Sequence, residues 1–375
     1  MIKREYDSTI LILTVALACF GVMMVYSASS MMALKVHQDS FYFLKRQGIF
    51  SLIGFAVLAV AMRIDYHWWR KLSVPLLLVC TVLLAAVFIP GVGAKAGGAY
   101  RWIRMPGFSF QPSEAAKLAL IFYLAHSATK KEDRLKDFRY GFVPYMVVLL
   151  MLISLMLAQR DLGGSATMAA VTGSMLLVAG TRWRYLVSSV IVAMPTLVYF
   201  IMQEEYRRKR IMAFWDPWQD PFDTGFQVIQ SQMGFGLGGL MGQGLGEGKQ
   251  KLFYLPEAHT DFIFSIIGEE MGYVTVALII TMFLVVVLLG LRVAYRAPDG
   301  FGRLTAFGIS ILFGLQAFAN MGVAMSMLPN KGLALPLISY GGTSLLCTLF
   351  SIGVLLNISG HTVSNGGNNA LGSRS

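Results

Sequence analysis

The sequence predicts an all-α polytopic membrane protein of about ten transmembrane helices, and three observations carry that prediction. Of its 375 residues, 56% are hydrophobic and 14% charged, against about 45–50% and about 25% in a soluble domain. Apolar runs of near-spanning length recur from end to end, and charges, glycines and prolines gather between them. A formal charge of +11 in so apolar a chain points to anionic lipid, with no nucleic acid expected as a partner. An ordinary soluble enzyme is excluded.

A hydrocarbon core about 30 Å thick takes about 20 residues of helix. Ten runs meet that need: 9–31, 48–62, 73–90, 113–128, 141–158, 163–180, 185–202, 262–291, 304–328 and 340–356. The first follows Lys3 and Arg4 as a secretory leader would, but its length and the runs behind it make it a retained span. The second, fourth and tenth are short and draw on flanking residues. Cys19, Cys80 and Cys347 all fall inside these runs without disulfide-framework or metal-ligand spacing, and read as small core residues.

An even number of spans puts both termini on one side. With that side cytoplasmic, sixteen basic residues fall inside and fifteen outside. Six of the fifteen (Arg207, Arg208, Lys209, Arg210, Lys249, Lys251) belong to one long connection exempt from the charge rule. Cytoplasmic termini are therefore expected. The chain reads as a single transmembrane domain over 1–360, with 203–260 as its long extracytoplasmic loop between helices 7 and 8. A Gly-, Asn- and Ser-rich tail over 361–375 is expected to be disordered.

The long loop has three parts. Four adjacent cations in EEYRRKR (204–210) suit a phosphate-bearing headgroup, and a solvated face explains them too. Trp215, Trp218 and Phe222, near Pro217 and Pro221, suit aromatic residues at headgroup level. GFGLGGLMGQGLGEGKQK (234–251) matches neither nucleotide fingerprint, since Gln243 stands in place of the first P-loop glycine and Lys249 is followed by Gln250. It reads as flexible backbone packing closely at the membrane surface.

Polar groups crowd the mouth of the eighth span in LPEAHTDFIFSIIGEEMG (255–272). Asp261 is placed in its first turn, with Ser265 and Glu269 four and eight residues on and sharing one helix face. A cap by Thr260 or Asp261 accounts for one carboxylate. It does not account for Glu269 and Glu270, at a depth where ionisable groups mark a polar pathway or a paired site. His259 reads as a surface residue. RWIRMPGFSFQPSEAAK (101–117) adds Arg101, Arg104, Glu114 and Lys117, AQRDLGG (158–164) adds Arg160 and Asp161, and LPNKGLALPLISYGGTS (328–344) adds Lys331. Cations and carboxylates thus gather at one membrane face, which suits a substrate with an anionic headgroup and an apolar tail.

At PEAHTDFIFSIIGEE, MLPNKGLALPLISYGGTS and RWIRMPGFSFQPSEAAKLAL the chain resembles the SEDS family (shape, elongation, division and sporulation) of bacterial lipid II polymerases, and its division branch more than its elongation branch. The resemblance runs over nearly the whole chain. It implies a multi-pass protein of the bacterial inner membrane, at the division septum, with both termini cytoplasmic. The implied activity is that of a peptidoglycan glycosyltransferase, which polymerises lipid II into glycan strands and releases undecaprenyl diphosphate. The family's essential loop aspartate falls on Asp261 and its functional polar positions on Glu114, Lys117 and Asp161. The implied partners are lipid II, an undecaprenyl-diphosphate-linked glycan strand, a class B penicillin-binding protein and other division proteins.

Attack of a hydroxyl on an anomeric carbon needs a base for its proton and positive charge for the departing diphosphate. Asp261 is the candidate base, although a helix N-terminus would favour its ionised form and weaken it in that role. Alternatively it holds a divalent cation, magnesium or manganese, against the diphosphate. Arg101 and Lys117 are the preferred substrate contacts, with Glu114, Asp161, Arg210 and Lys331 completing the expected substrate-binding set. No organic cofactor is implied. A lipid II flippase and a non-catalytic divisome scaffold are the competing readings, but a transporter would want its charges near the midplane.

Overall fold

A computed structural model describes residues 6–96, 99–105, 108–203, 208, 209, 212, 214–222, 225–252, 258–329 and 332–372. Among them stand eleven α-helices: α1 (Ser8–His37), α2 (Tyr42–Arg63), α3 (His67–Ala86), α4 (Pro112–Lys130), α5 (Val143–Ala158), α6 (Leu162–Ala179), α7 (Trp183–Gln203), α8 (Phe226–Gly238), α9 (Ile263–Arg296), α10 (Gly300–Ala324) and α11 (Gly342–Gly372). Eight are long and apolar enough to cross a membrane by length and composition. α4 and α7 occupy the positions of the fourth and seventh expected spans and fall outside those eight. The chain is an all-α polytopic membrane protein. Its helices are apolar on both faces: Phe122, Tyr145, Phe264 and Phe301 fill the interior, while Leu52, Leu78, Val192 and Leu288 project outward, as lipid-facing side chains do.

One end of the bundle is tied together by its own polar groups. Asp7 N donates to Ser359 Oγ (3.1 Å) and the Tyr6 hydroxyl to Met62 O (3.3 Å). These bonds bring the start of α1, the end of α2 and the Ser359 turn of α11 to one side. Tyr66 N donates to Asn357 Oδ1 (3.0 Å), Asn357 Nδ2 to Met62 O (2.7 Å), and the Tyr66 hydroxyl to the carboxylate of Asp299. Burial and that carboxylate push the Tyr66 phenol above its ordinary range.

Three features depart from expectation. Residues 93–110 form a small antiparallel sheet, β1 (Gly93–Ala96), β2 (Ala99–Met105) and β3 (Phe108–Phe110), in the order β1-β2-β3. No proline interrupts residues 342–372, and helical backbone continues to Gly372 through a stretch expected to be disordered. Cys19 is exposed on α1 and is not a core residue.

α8 and the Gly-rich return that follows it lie along the first turns of α9. α9 breaks at Gly272, whose φ of 76° and ψ of 177° are not helical. The break removes the ladder bonds between carbonyls 269 and 270 and amides 273 and 274, and the return takes all four groups. Gln243 N donates to Glu269 O (3.0 Å) and Gly244 N to Glu270 O (2.9 Å), while Tyr273 N donates to Gly239 O (2.9 Å) and Val274 N to Leu240 O (3.3 Å). A Cβ on Gly272 would stand 2.4 Å from Gly242 N and from Leu240 O, so the close approach requires glycine.

The two glutamates complete this attachment. Glu269 accepts from Lys249 N (2.7 Å) and Gln250 N (3.2 Å to Oε2). Glu270 accepts from Gly246 N (3.0 Å), Ser27 Oγ (2.6 Å) and Lys251 Nζ (2.7 Å). Of the polar pathway and the paired site suggested by their depth, the paired site is what is found, with Glu270 bonded to Lys251, and it serves as a fastening for irregular backbone, whose polar groups must all find partners away from water.

Candidate active site

At the end of the bundle opposite the Asp7–Ser359 contact, polar groups converge where α4, α9 and α10 meet. The N-cap of α9 is Phe262, so Asp261 precedes the helix and does not stand in its first turn. Three consecutive carbonyls of this turn are held. Tyr340 N donates to His259 O (3.0 Å), Ser339 Oγ to Thr260 O (2.5 Å) and Asn320 Nδ2 to Asp261 O (2.8 Å). Asn320 Nδ2 also donates to Leu333 O (2.6 Å). The turn is thereby stitched to the segment 332–341 between α10 and α11.

Asp261 Oδ2 lies against Gly332, where a Cβ would stand 3.2 Å away and where φ is 62°. In the same segment Leu337 is held at φ 67°, a conformation that costs about 1–3 kcal/mol and persists only where the surroundings impose it. Burial pushes the nearby Tyr340 phenol up, against the opposing pull of the Arg46 guanidinium.

α4 contributes an ion pair between Lys117 Nζ and Glu114 Oε1 (2.7 Å), with side chains only 2% and 13% exposed. Gln316 Nε2 donates to Glu114 Oε2 (3.3 Å). Gln316 and Asn320 are four residues apart on α10, hence on one face and separated by about 6 Å along its axis. That face links the ion pair to the turn of Asp261. A cavity of about 10 Å³ lined by Glu114, Gln316, Cys347, Thr348 and Ser351, among others, adjoins the pair and is roughly the size of one water.

Arg101 and Asp161 form a second cluster. β2 carries Arg101 to the turn between α5 and α6, where its guanidinium donates to Arg160 O and stands 4.0 Å from Asp161 Oδ1. Asp161 caps α6 by accepting from Gly164 N (3.0 Å). Arg101 therefore fastens the sheet to the bundle, and only Lys117 of the expected cationic pair stands with Glu114. The sheet is also tied to α4 and α11, since Gln111 N donates to Thr343 Oγ1 (3.2 Å) and Thr343 Oγ1 to Ser109 O (3.1 Å).

Several expected groupings come apart. Ser265 and Glu269 do not join Asp261: Ser265 Oγ donates to Ser231 O (2.8 Å) on α8, and helical spacing cannot be counted from a residue before the helix. His259 is buried against Phe43 and Tyr340, not at the surface. Arg208, Lys209, Trp215, Trp218 and Phe222 are exposed. Arg210 and Lys331 lie outside the described residues. Gln316, Asn320 and Ser339 were not anticipated. The signal for the first two was two amides at helical spacing within an apolar span.

Among the described residues no group of three or more His, Cys, Asp or Glu side chains is placed to hold a metal ion. The single carboxylate of Asp261 fits a cation shared with substrate phosphate oxygens and does not fit one caged by protein alone.

Fold and site define a polytopic helical membrane protein with a buried polar cluster at one end of its bundle. The chain belongs to the FtsW/RodA/SpoVE family, described as cell cycle proteins, whose sequence model matches residues 8–364. It is 59% identical to a probable peptidoglycan glycosyltransferase FtsW of Geobacter sulfurreducens over 95% of each chain. It is 41% identical to the stage V sporulation protein E of Bacillus subtilis, over 95% of this chain and 98% of the relative. The fold matches a solved peptidoglycan synthase complex that coordinates polymerization and crosslinking, with a TM-score of 0.79, 28% identity and coverage of 96% and 98%. It also matches RodA, the rod shape determining protein of Thermus thermophilus, with a TM-score of 0.71, 26% identity and coverage of 95% and 97%.

Proposed function

We propose that the chain is a peptidoglycan glycosyltransferase that polymerises lipid II during cell division, with Asp261 at the reacting centre. The observation that carries this reading is the single face of α10 that joins the turn of Asp261 to the buried Glu114–Lys117 pair. A carboxylate and a cation held at one end of a lipid-embedded bundle are what glycosyl transfer from a lipid diphosphate needs.

In this reaction the 4-hydroxyl oxygen of the acceptor lipid II bonds to the anomeric carbon of the donor as the bond from that carbon to the diphosphate breaks. The hydroxyl proton passes to Asp261, and undecaprenyl diphosphate leaves with the bonding pair. Lys117, ordered by Glu114, offers positive charge to the leaving group, and Arg101 with Asp161 holds the sheet beside it. Arg210 and Lys331 remain candidate contacts for the diphosphate. In the alternative role Asp261 would hold a divalent cation, magnesium or manganese, and the cation would supply charge neutralisation for the diphosphate.

The reading includes ten spans with both termini cytoplasmic, the site facing away from the cytoplasm, and placement at the septum beside a class B penicillin-binding protein. The support for the orientation is the excess of basic residues on the terminal side. Purified protein, its penicillin-binding partner and lipid II are expected to yield glycan strands, and Asp261→Asn to yield none while expressing normally. Wild-type strand synthesis by that variant would overturn the role of Asp261. A chelator that leaves synthesis intact would remove the cation.

A further inference from the structure

We propose that Asn320 is a positioning residue of the polymerisation site that acts through Asp261, an inference that rests on the role given to Asp261 above. Its side-chain nitrogen donates to two backbone carbonyls at once, Asp261 O at 2.8 Å and Leu333 O at 2.6 Å. Both partners are pure acceptors, so only the amino group of the amide can face them and its orientation is dictated. Asn320 is 1% exposed. Its Oδ1 is buried with no hydrogen-bond partner among the described residues. The side chain thus carries an unpaired acceptor, an unfavourable arrangement in an interior, while presenting its two donors.

The two carbonyls belong to segments that meet only at this end of the bundle. One is the turn before α9, which bears Asp261. The other is the start of the segment 332–341, whose Gly332 lies against Asp261 Oδ2. Tyr340 N and Ser339 Oγ hold residues 259 and 260 from the far end of that segment, and Asn320 fastens residue 261 itself.

The same face of α10 carries Gln316, bonded to Glu114 of the Glu114–Lys117 pair. One rigid helix therefore sets the carboxylate against the cation, Asn320 on one side and Gln316 a turn away. A carboxylate that accepts a proton must stand within hydrogen-bond reach of the hydroxyl, and a misplacement of about 1 Å costs roughly 100-fold in rate.

Three variants test this in the full-length protein with its penicillin-binding partner and lipid II. Asn320→Asp keeps the shape and removes both donors, Asn320→Gln keeps the amino group on a longer arm, and Asn320→Leu fills the space without polarity. N320D and N320L are expected to lower the maximal rate per folded molecule roughly 10- to 100-fold, with little change in the half-saturating lipid II concentration, and to lower the thermal midpoint as well because two buried carbonyls lose their donor. N320Q recovers part of the rate. The deficit of N320D relative to wild type narrows as pH falls, because its protonated carboxyl regains one donor, and N320L shows no such recovery.

Wild-type rates in N320D and N320L would overturn the proposal. So would rate losses that follow the thermal midpoint across all three variants, with no recovery in N320Q and no narrowing in N320D. Asp261→Asn measured in parallel separates the two readings. If it polymerises normally, the role of Asp261 falls; if it is inactive while the Asn320 variants are fully active, only the positioning role falls.

Discussion

Lys251 Nζ and Glu270 Oε1 stand 2.7 Å apart in a buried ion pair that also touches Ser27 of α1. Removing one partner strands the other charge in an apolar interior, which costs about 3–5 kcal/mol. Lys251→Met is therefore expected to lower the thermal midpoint in detergent by several degrees and to reduce yield. Equal melting of variant and wild type would show that the pair fastens nothing.

Gly272 and Gly236 should respond oppositely to alanine. Gly236 lies inside α8 with no atom within 4 Å of the position a Cβ would take, so Gly236→Ala stabilises by about 0.5–1 kcal/mol. Gly272→Ala meets backbone atoms at 2.4 Å and a φ of 76°, and destabilises by at least about 1–3 kcal/mol. Melting curves of the two variants check the contrast; a neutral Gly272→Ala would mean that the return from α8 is not packed on α9.

Lys117 and Arg101 are expected to differ in kind. Lys117→Met removes the charge nearest Glu114, and loss of one such stabilising group costs roughly 100- to 1,000-fold in maximal rate. Arg101→Ala acts first on the attachment of the sheet, so its thermal midpoint falls and the rate per folded molecule changes less. Kinetics normalised to the folded fraction separate them, and an Arg101→Ala variant as slow as Lys117→Met would put Arg101 on the substrate.

Asp65, in the turn between α2 and α3, is expected to show a pH signature. Burial opposes its ionisation, but His67 N (2.9 Å) and His67 Nδ1 (2.7 Å) outweigh that and hold its carboxyl below the ordinary 3.8. A folded value below the unfolded one contributes stability above the ordinary range that is lost as pH falls through the folded value. Asp65→Asn should melt slightly below wild type at neutral pH, a small gap because the side chain is 41% exposed, and the gap should close as pH drops beneath 3.8. A gap that widens with acid would contradict this.

Ten of the eleven helices were legible because spanning runs are long and uniformly apolar, so each apolar run finds its helix, whereas α8 lies in what reads as loop. The sheet was not, although Gly97-Gly98 and Pro106-Gly107 separate three short runs as hairpin turns do; in the short connection between two spans, the charged side chains are the more conspicuous feature. Asp261, Glu114 and Lys117 stood out because charges are costly beside lipid. Their link through Gln316 and Asn320 did not, because uncharged amides in a span are common as hydrogen bonds between helices and point to no chemistry by themselves. Of the two readings their depth gave Glu269 and Glu270, the paired site holds, through Lys251 and Glu270, while their task of holding irregular backbone was hidden, since sequence alone does not reveal that α9 breaks at Gly272.

The exchange of hydrogen bonds at Gly272 makes two segments distant in the order of synthesis mutually dependent. Residues 226–251 leave the ribosome before 263–296, so α8 and its return emerge before the carbonyls that will hold amides 243 and 244 have been made. Bare backbone of that kind does not enter hydrocarbon. The return from α8 and the first turns of α9 therefore complete one another's backbone hydrogen bonding, so that a single glycine makes the docking of a loop and the seating of a later span depend on each other.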